Sequence, residues 1–296
     1  MRFSATEAAF EGFRIVRRNP LAIVFWGLAY VVFFVAFFAL VGGQLAGVIA
    51  QAEALQGGEP DVSDLQALGQ SYFTILGLGA PLGLLLSAVL SAGVARAVLN
   101  PSQKAFGYLR LGPDELRVLA VNLILSIALG VGFFVLAMIV GVAAGVVAQG
   151  NQGAGVLVGV LLGLAFAVLA IWIAVRLSLA VPLTMAEKRI APFASFGVTK
   201  GHFWPLLGMA VIAFIMSILV SLLGSVIALP IMMFTGGGLA QLAGLEGQST
   251  AAILQTAGPG LLAWGVVNAI VSALQLAVLY APFAAAYRDI KGPPHA

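Results

Sequence analysis

Charged side chains are scarce in this chain of 296 residues, and cysteine is absent. Only 8% of the residues are charged, whereas an ordinary soluble domain has roughly 25%. The lack of cysteine excludes disulfides, thiolate nucleophiles and cysteine-ligated metal sites, and it leaves the redox compartment open. The chain has two histidines, His202 and His295, which is too few for a histidine-rich metal site and makes a Ser-His hydrolase hard to build.

Apolar residues take the place of the missing charges. They make up 61% of the chain, and the mean hydropathy is +1.10, more than a soluble fold could bury. Six apolar runs are each long enough to cross about 30 Å of hydrocarbon at a rise of about 1.5 Å per residue. The predicted spans cover residues 20–42, 73–99, 116–147, 155–184, 205–234 and 259–287. We therefore expect one all-α polytopic membrane domain over residues 1–296.

The few basic residues predict the orientation of the chain in the membrane. None of the 14 Lys and Arg residues lies in an odd-numbered connection between the predicted spans. All of them lie on the side that carries both termini, and basic residues favour the cytoplasmic face. We therefore expect both termini in the cytoplasm. The pI near 9.4 follows from this topology and does not indicate nucleic-acid binding.

Residues 3–18, before the first span, have the pattern of an amphipathic surface helix. Ser4 and Glu7 fit an S-x-x-E capping box. Charged residues recur at helical spacing on one side and apolar residues on the other, namely Glu7, Glu11, Arg14 and Arg18 against Phe10, Phe13 and Val16. The sequence predicts one interfacial helix lying on the membrane surface. The apolar run after it is longer than the roughly 7–15 residues of a signal peptide's apolar region, so we interpret it as an uncleaved span.

A weak internal repeat divides the six spans into three hairpins. A short aromatic segment precedes each odd-numbered span, at residues 8–20, 104–117 and 192–205. An arginine closes each even-numbered span, at Arg96, Arg176 and Arg288. We expect a pseudo-symmetric bundle of three hairpins with cytoplasmic interfacial helices. Glycines at four-residue spacing predict close helix contacts, either within the chain or with other membrane proteins, including a second copy.

Polar side chains form stripes inside several of the predicted spans. The candidate residues for a polar pathway are Asn122, Asn268, Ser272 and Gln275. Polar groups in hydrocarbon need partners, so these side chains should face protein or a wet cavity. Two interpretations stay open: interhelical hydrogen bonds that fix the packing, or a path for a substrate.

The stretch from Arg176 to Trp204 concentrates charge and proline between two apolar runs. An arginine in a span is costly unless it snorkels, binds backbone carbonyls or lines a wet cavity. Pro182 frees a carbonyl about one turn earlier, near Ser178, and so predicts a kink. The candidate site consists of Arg176, Ser178, Pro182, Glu187, Lys200 and His202. It is either a structural kink with a snorkelling arginine or a binding site for an anionic headgroup.

The same stretch resembles a known family. Arg176-Leu-Ser178-Leu-Ala180-Val-Pro182, followed by Glu187 and by FASFGVTKGHFWPLLG, is similar to the membrane domain of the glycerophosphodiester phosphodiesterase membrane-domain family. The similarity is greatest over residues 174–209. It implies a six-span bundle in the bacterial inner membrane and a link to phospholipid or envelope biology. The sequence contains no phosphodiesterase domain, so the catalysis of the fused enzymes does not carry over.

Two classes of function remain. No Asp lies inside a predicted span, which excludes a two-aspartate intramembrane protease, and we expect neither enzymatic activity nor a cofactor. The first class is a lipid-handling or small-molecule transport protein that contacts membrane phospholipids. The second is a scaffold or accessory subunit that organises other membrane proteins. The resemblance favours the first class.

Because the chain has no native cysteine, introduced cysteines test the topology directly. Single cysteines at Glu59, Asn151 or Gln248 should react with a membrane-impermeant thiol reagent in intact cells. A cysteine at Ser102 should stay unlabelled, because the charge split puts this residue in the cytoplasm. The reverse pattern of labelling would contradict the predicted orientation.

Overall fold

The computed structural model describes residues 3–54, 61–234 and 250–292. Over these residues the chain forms helices and turns, with no strand. Six of its helical segments are long and apolar enough to cross a membrane. The predicted all-α polytopic membrane fold is therefore confirmed. Glu59, Gln248 and His295 lie outside the described residues.

The membrane-spanning helices are longer than the predicted spans. In chain order they are α3 (Pro20–Ala54), α4 (Val62–Leu99), α5 (Pro113–Gly150), α6 (Gln152–Leu177) with α7 (Ala180–Glu187), α9 (Phe203–Phe234) and α10 (Thr250–Lys291). Helix α3 runs on to Ala54 because the residues after position 42 include no proline and several good helix formers, such as Ala, Leu and Gln. Much of the polar connection predicted after the first span is therefore helical.

The fourth span is broken between α6 and α7. The break lies at Ser178 and Leu179, and the Ser178 hydroxyl donates to the Val175 carbonyl at 2.8 Å. Pro182 is buried in the first turn of α7, where its missing N–H removes no helical hydrogen bond. The interruption thus falls one turn before the proline, and Ser178 satisfies one of the carbonyls there.

Two short helices stand where the sequence predicts a single interfacial helix over residues 3–18. Helix α1 (Ala5–Ala9) is capped by Ser4, whose side chain accepts from the Glu7 amide at 3.5 Å. The chain bends at Phe10, and α2 (Glu11–Arg18) follows. Helix α2 lies so close to α10 that a Cβ on Gly12 would be 2.7 Å from the Val278 Cα. This close approach places the backbone of α2 directly against α10.

The orientation of α2 differs from the expected amphipathic pattern. The sequence pattern groups Glu11 with the charged side, but Glu11 is buried, and it accepts from Arg14 at 3.3 Å and lies 3.9 Å from Arg288 of α10. Phe10 and Phe13 are 43% and 39% exposed instead. The contact with α10 decides which side of α2 faces the protein, and this contact overrides the helical periodicity of charge.

The buried core lies at one end of the bundle, which we call the basic end because Arg18, Arg96, Arg117, Arg176 and Arg288 lie there. There α4, α7 and α10, which close the three even-numbered spans, pack against one another. Many of the fully buried side chains belong to these helices, for example Leu90, Val94, Leu183 and Ala277. The basic end is therefore the tightly packed half of the protein.

The hairpin of α5 and α6 leaves this core. Among residues 122–174, Gly155 is the only buried residue, and it contacts Ala148 within the same hairpin. The turn at Asn151 is closed by its own side chain, which accepts from the Ala154 amide at 3.1 Å. The other two hairpins, α3–α4 and α9–α10, pack against each other through α10. The three-hairpin organisation is present, but one hairpin stands apart over most of its length.

Replacing Gly12 with alanine should destabilise the protein, because the new Cβ would meet the backbone of α10. Overpacking of this kind costs about 1–3 kcal/mol. Gly208 of α9 is the matched control, since nothing lies within 4 Å of a Cβ built there. Gly208→Ala should be neutral or stabilising by up to about 1 kcal/mol, the difference in helix propensity. Thermal unfolding in detergent measures the stability of both variants. Equal unfolding midpoints would contradict the close approach of Gly12 to the backbone of α10.

Candidate functional site

Arg176 lies at the end of α6, and its guanidinium contacts the connection to the fifth span. Its Nη1 donates to the Phe196 carbonyl and to the Thr199 hydroxyl, both at 3.4 Å. Its Cζ lies 5.5 Å from the centroid of the Trp172 ring, within the range of a cation–π interaction. Arg176 thus binds a backbone carbonyl, which is one of the arrangements that make an arginine tolerable in a span.

The connection itself is fixed to the end of α6 by two buried hydroxyl groups. The 3₁₀ turn Pro192–Ala194 and α8 (Ser195–Val198) carry the chain past Arg176. The Ser195 hydroxyl donates to the Arg176 carbonyl at 2.7 Å, and the Thr199 hydroxyl donates to the Ser195 carbonyl at 2.9 Å. Sequence reasoning missed both residues. Their spacing of four in a segment predicted to lie at the interface was the available signal.

Arg176 keeps unused hydrogen-bonding capacity. Its Nε is buried and has no hydrogen-bond partner within the described part of the chain. The two bonds at 3.4 Å from Nη1 are longer than the roughly 2.7–3.2 Å of a well-formed N–H···O bond. A guanidinium carries five N–H donors, so most of the donors of Arg176 make no well-formed hydrogen bond within the described part of the chain.

Glu187, Lys200 and His202 do not join Arg176. Glu187 accepts from Arg189 at 2.6 Å and from the Tyr287 hydroxyl at 3.4 Å. Among the described residues, no hydrogen bond or ion pair connects any of these three to Arg176. The predicted site is therefore divided into separate groups of contacts.

The other two candidates, Lys200 and His202, lie just before the start of α9. The ring of His202 packs edge-on against Phe3, with the ring centroids 6.5 Å apart. Lys200 is exposed, and it contributes its carbonyl to a 3.3 Å contact with His202 Nδ1. These contacts attach the start of α9 to the N-terminal segment.

Two of the four polar pathway candidates line a cavity of about 390 Å³ between α3, α4 and α10. Ser272 and Gln275 contribute from α10, Ser87 from α4, and the tyrosines Tyr30 and Tyr280 complete the polar lining. None of these five side chains is a carboxylate, a histidine or a basic residue. The cavity suits water or an uncharged polar molecule better than an ion.

The other contacts of the polar candidates are interhelical or local. Gln275 donates to the Ser217 carbonyl of α9 at 3.3 Å, and Asn122 of α5 donates to the Ser87 hydroxyl at 3.4 Å. Asn268 donates to the Trp264 carbonyl in its own helix at 2.9 Å. Asn122 and Gln275 thus connect neighbouring spans, whereas the bond of Asn268 is local.

Arg96 forms the most deeply buried charged contact of the basic end. It is an ion pair with Glu115 at the start of α5, with side-chain exposures of 3% and 6%. Arg96 Nη1 also donates to the Tyr108 carbonyl at 2.5 Å. One guanidinium therefore holds the end of α4, the following connection and the start of α5 together.

The connection held by Arg96 contains a left-handed turn. Phe106, Gly107 and Tyr108 have φ values of 50°, 64° and 67°. The Gly107 carbonyl accepts from the buried Trp26 indole at 2.8 Å. A Cβ on Gly107 would lie 2.8 Å from the Phe25 Cβ, so only glycine fits between this turn and α3.

The three arginines that close the even-numbered spans repeat one arrangement. Each reaches the segment that leads into an odd-numbered span: Arg96 reaches Tyr108 and Glu115, Arg176 reaches Phe196 and Thr199, and Arg288 lies near Glu11. The last of these contacts closes the ring, because Glu11 precedes the first span. The internal repeat of the sequence therefore has a counterpart in side-chain contacts at the basic end.

Comparison with protein-family models, curated proteins and solved structures found no match. The resemblance to the glycerophosphodiester phosphodiesterase membrane-domain family thus stays a hypothesis that rests on residues 174–209. No group of three or more His, Asp or Glu side chains that could hold a metal ion occurs in the described ranges. The fold and the site define the class as a six-span all-α membrane protein.

Proposed function

We propose that this chain is a non-catalytic lipid-handling protein of the bacterial inner membrane, with both termini in the cytoplasm. The 14 to 0 split of basic residues supports the orientation. The resemblance of residues 174–209 supports the link to phospholipids. The observation that carries the proposal is the guanidinium of Arg176, which lies at the basic end with a buried Nε that has no partner among the described residues.

The chemistry of this position favours an anionic headgroup. A phosphate accepts two parallel N–H bonds from one guanidinium, which an ammonium cannot supply in the same geometry. Trp172 lies beside the group, and tryptophan favours the interface between headgroups and hydrocarbon. The lipid would therefore bind at the cytoplasmic leaflet, with its phosphate on Arg176.

Transport of an uncharged small molecule is a variant of the same proposal. The fourth span is interrupted at Ser178, and interrupted helices form the substrate sites of many transporters. The cavity that contains Ser272 and Gln275 would then hold the molecule. Its lining carries no carboxylate, so coupling to protons is not part of this variant.

A scaffold function is the second candidate, and the α5–α6 hairpin favours it. Gly141, Gly145 and Gly163 on this hairpin have nothing within 4 Å of an added Cβ. Small residues let two helices approach closely in a membrane. In this proposal the hairpin binds another membrane protein or a second copy of the chain.

Substitutions of Arg176 distinguish the headgroup site from the scaffold. Arg176→Leu should stay folded but lose co-purifying anionic phospholipid, and Arg176→Lys should lose much of it because the bidentate geometry is gone. We expect a loss of roughly tenfold or more, since hydrogen bonds to charged groups contribute about 1.5–3 kcal/mol. Native mass spectrometry of the purified proteins measures the retained lipid.

Arg189→Leu is the matched control, because Arg189 is an exposed arginine at the same end that pairs with Glu187. It should retain lipid like the unmodified protein. Thermal unfolding of Arg176→Lys separates loss of lipid from loss of structure. Equal lipid retention in all the proteins would overturn the headgroup site and leave the scaffold as the better proposal.

A further inference from the structure

An apolar groove opens between α3 and α4 at the basic end, and we call it the α3–α4 groove. Its volume is about 890 Å³, within the range of roughly 300–1,000 Å³ that ligand sites have. Val32 and Ala36 line it from α3, and Leu85 and Val89 line it from α4. Val32 and Leu85 are 69% and 50% exposed, so the groove opens sideways, where a bilayer surrounds the spans.

The groove has a roof that is fixed in place. Residues Phe106, Leu109 and Leu111 cover its end at the basic side. They belong to the connection that contains the left-handed turn, and that turn is held by Trp26 and Arg96. The roof is therefore already ordered before any ligand binds, so binding does not carry an additional cost in conformational entropy for ordering it.

Arg110 lies in the roof and lines the groove. Its side chain is exposed and has no hydrogen bond or ion pair within the described part of the chain. The two arginines nearest to it in the sequence do have ion pairs: Arg96 pairs with Glu115, and Arg117 pairs with Asp114. Arg110 is thus a cation without a counter-ion at the polar end of an apolar groove.

We propose that the α3–α4 groove binds an anionic phospholipid, with its acyl chains along α3 and α4 and its phosphate on Arg110. Lipid tails are as apolar as leucine, so the groove by itself gives little preference among lipids. The preference must come from the headgroup, where a guanidinium and a phosphate form a charge-assisted pair. This site is separate from Arg176 and does not depend on the function proposed there.

A second groove repeats the arrangement on another hairpin. It has a volume of about 440 Å³ between α9 and α10, and Phe13 and Val16 of α2 cover its basic end. Arg17, next to Val16, is exposed and has no ion pair among the described residues. In both hairpins an interfacial segment covers a groove and carries an arginine without an ion pair among the described residues, although Arg17, unlike Arg110, does not itself line its groove.

The experiment is competition between two lipids for the full-length purified protein, measured by native mass spectrometry. Phosphatidylglycerol and phosphatidylcholine with the same acyl chains are added in equal amounts. The unmodified protein should retain phosphatidylglycerol in preference. Arg110→Gln should lower the occupancy of one bound phosphatidylglycerol about tenfold, the effect of one charge-assisted bond, and Arg110→Lys should restore most of it.

Three further measurements test where the lipid binds. Lys291→Gln removes an exposed charge at the same end and should change nothing. Ala36→Trp puts a large side chain into the groove and should lower retention of both lipids. Glycerol phosphate, a headgroup without chains, should not displace phosphatidylglycerol. Displacement by glycerol phosphate would show a phosphate site that does not need the groove, and it would overturn the proposal.

Unchanged phosphatidylglycerol retention in Arg110→Gln would also overturn the proposal, as would an equal loss in Lys291→Gln. Arg110 is exposed and makes no contact that holds the fold, so its substitution leaves the protein folded. Arg176→Leu distinguishes the two lipid proposals. If only Arg176→Leu loses the preference for phosphatidylglycerol, the groove site is contradicted. If only Arg110→Gln loses that preference, the groove site is supported and the headgroup site at Arg176 is contradicted.

Discussion

The buried ion pair between Arg96 and Glu115 fixes the geometry of the basic end. Both side chains are almost fully excluded from solvent, where an unpaired charge is expensive. Arg96 must therefore keep Glu115 and the Tyr108 carbonyl as partners. These bonds hold the connection in its left-handed turn, and this conformation places Phe106 and Arg110 over the α3–α4 groove.

The same type of contact recurs at the other two even-numbered spans with weaker partners. Arg176 binds a carbonyl and a hydroxyl, and Arg288 is 34% exposed and lies 3.9 Å from Glu11. The basic end is thus built by arginines that hold interfacial segments, while the α5–α6 hairpin has no such contact along most of its length. The tightly packed part of the protein is therefore the basic end, and the α5–α6 hairpin extends away from it.

The six spans and the three hairpins could be predicted from sequence because length and apolar composition decide membrane insertion locally. The break near Ser178 could also be predicted, since proline acts on the turn before it. The burial of Glu11 could not be predicted, because helical periodicity does not reveal that Gly12 lies against α10 or that Arg288 is near. Tertiary contact decided that orientation.

The candidate site was predicted only in part for the same reason. Arg176 can be identified from the sequence because an arginine in a span is rare and costly. Its partners Ser195 and Thr199 are ordinary hydroxyl residues whose role depends on how α8 lies against α6. The sequence marks Arg96 only as the end of a repeat. Its pairing with Glu115 joins two spans across a connection, and the left-handed turn of that connection has no simple sequence pattern beyond Gly107.

A double-mutant cycle on Arg96 and Glu115 tests most directly whether this ion pair holds the basic end together. Unfolding free energies in detergent would be measured for Arg96→Met, Glu115→Met and the double variant. Each single variant should lose about 3–5 kcal/mol, because it leaves one buried charge unpaired. The double variant should lose less than the sum of the two, with a coupling above about 1 kcal/mol. Strictly additive losses would contradict the account and would mean that the two side chains act independently at the basic end.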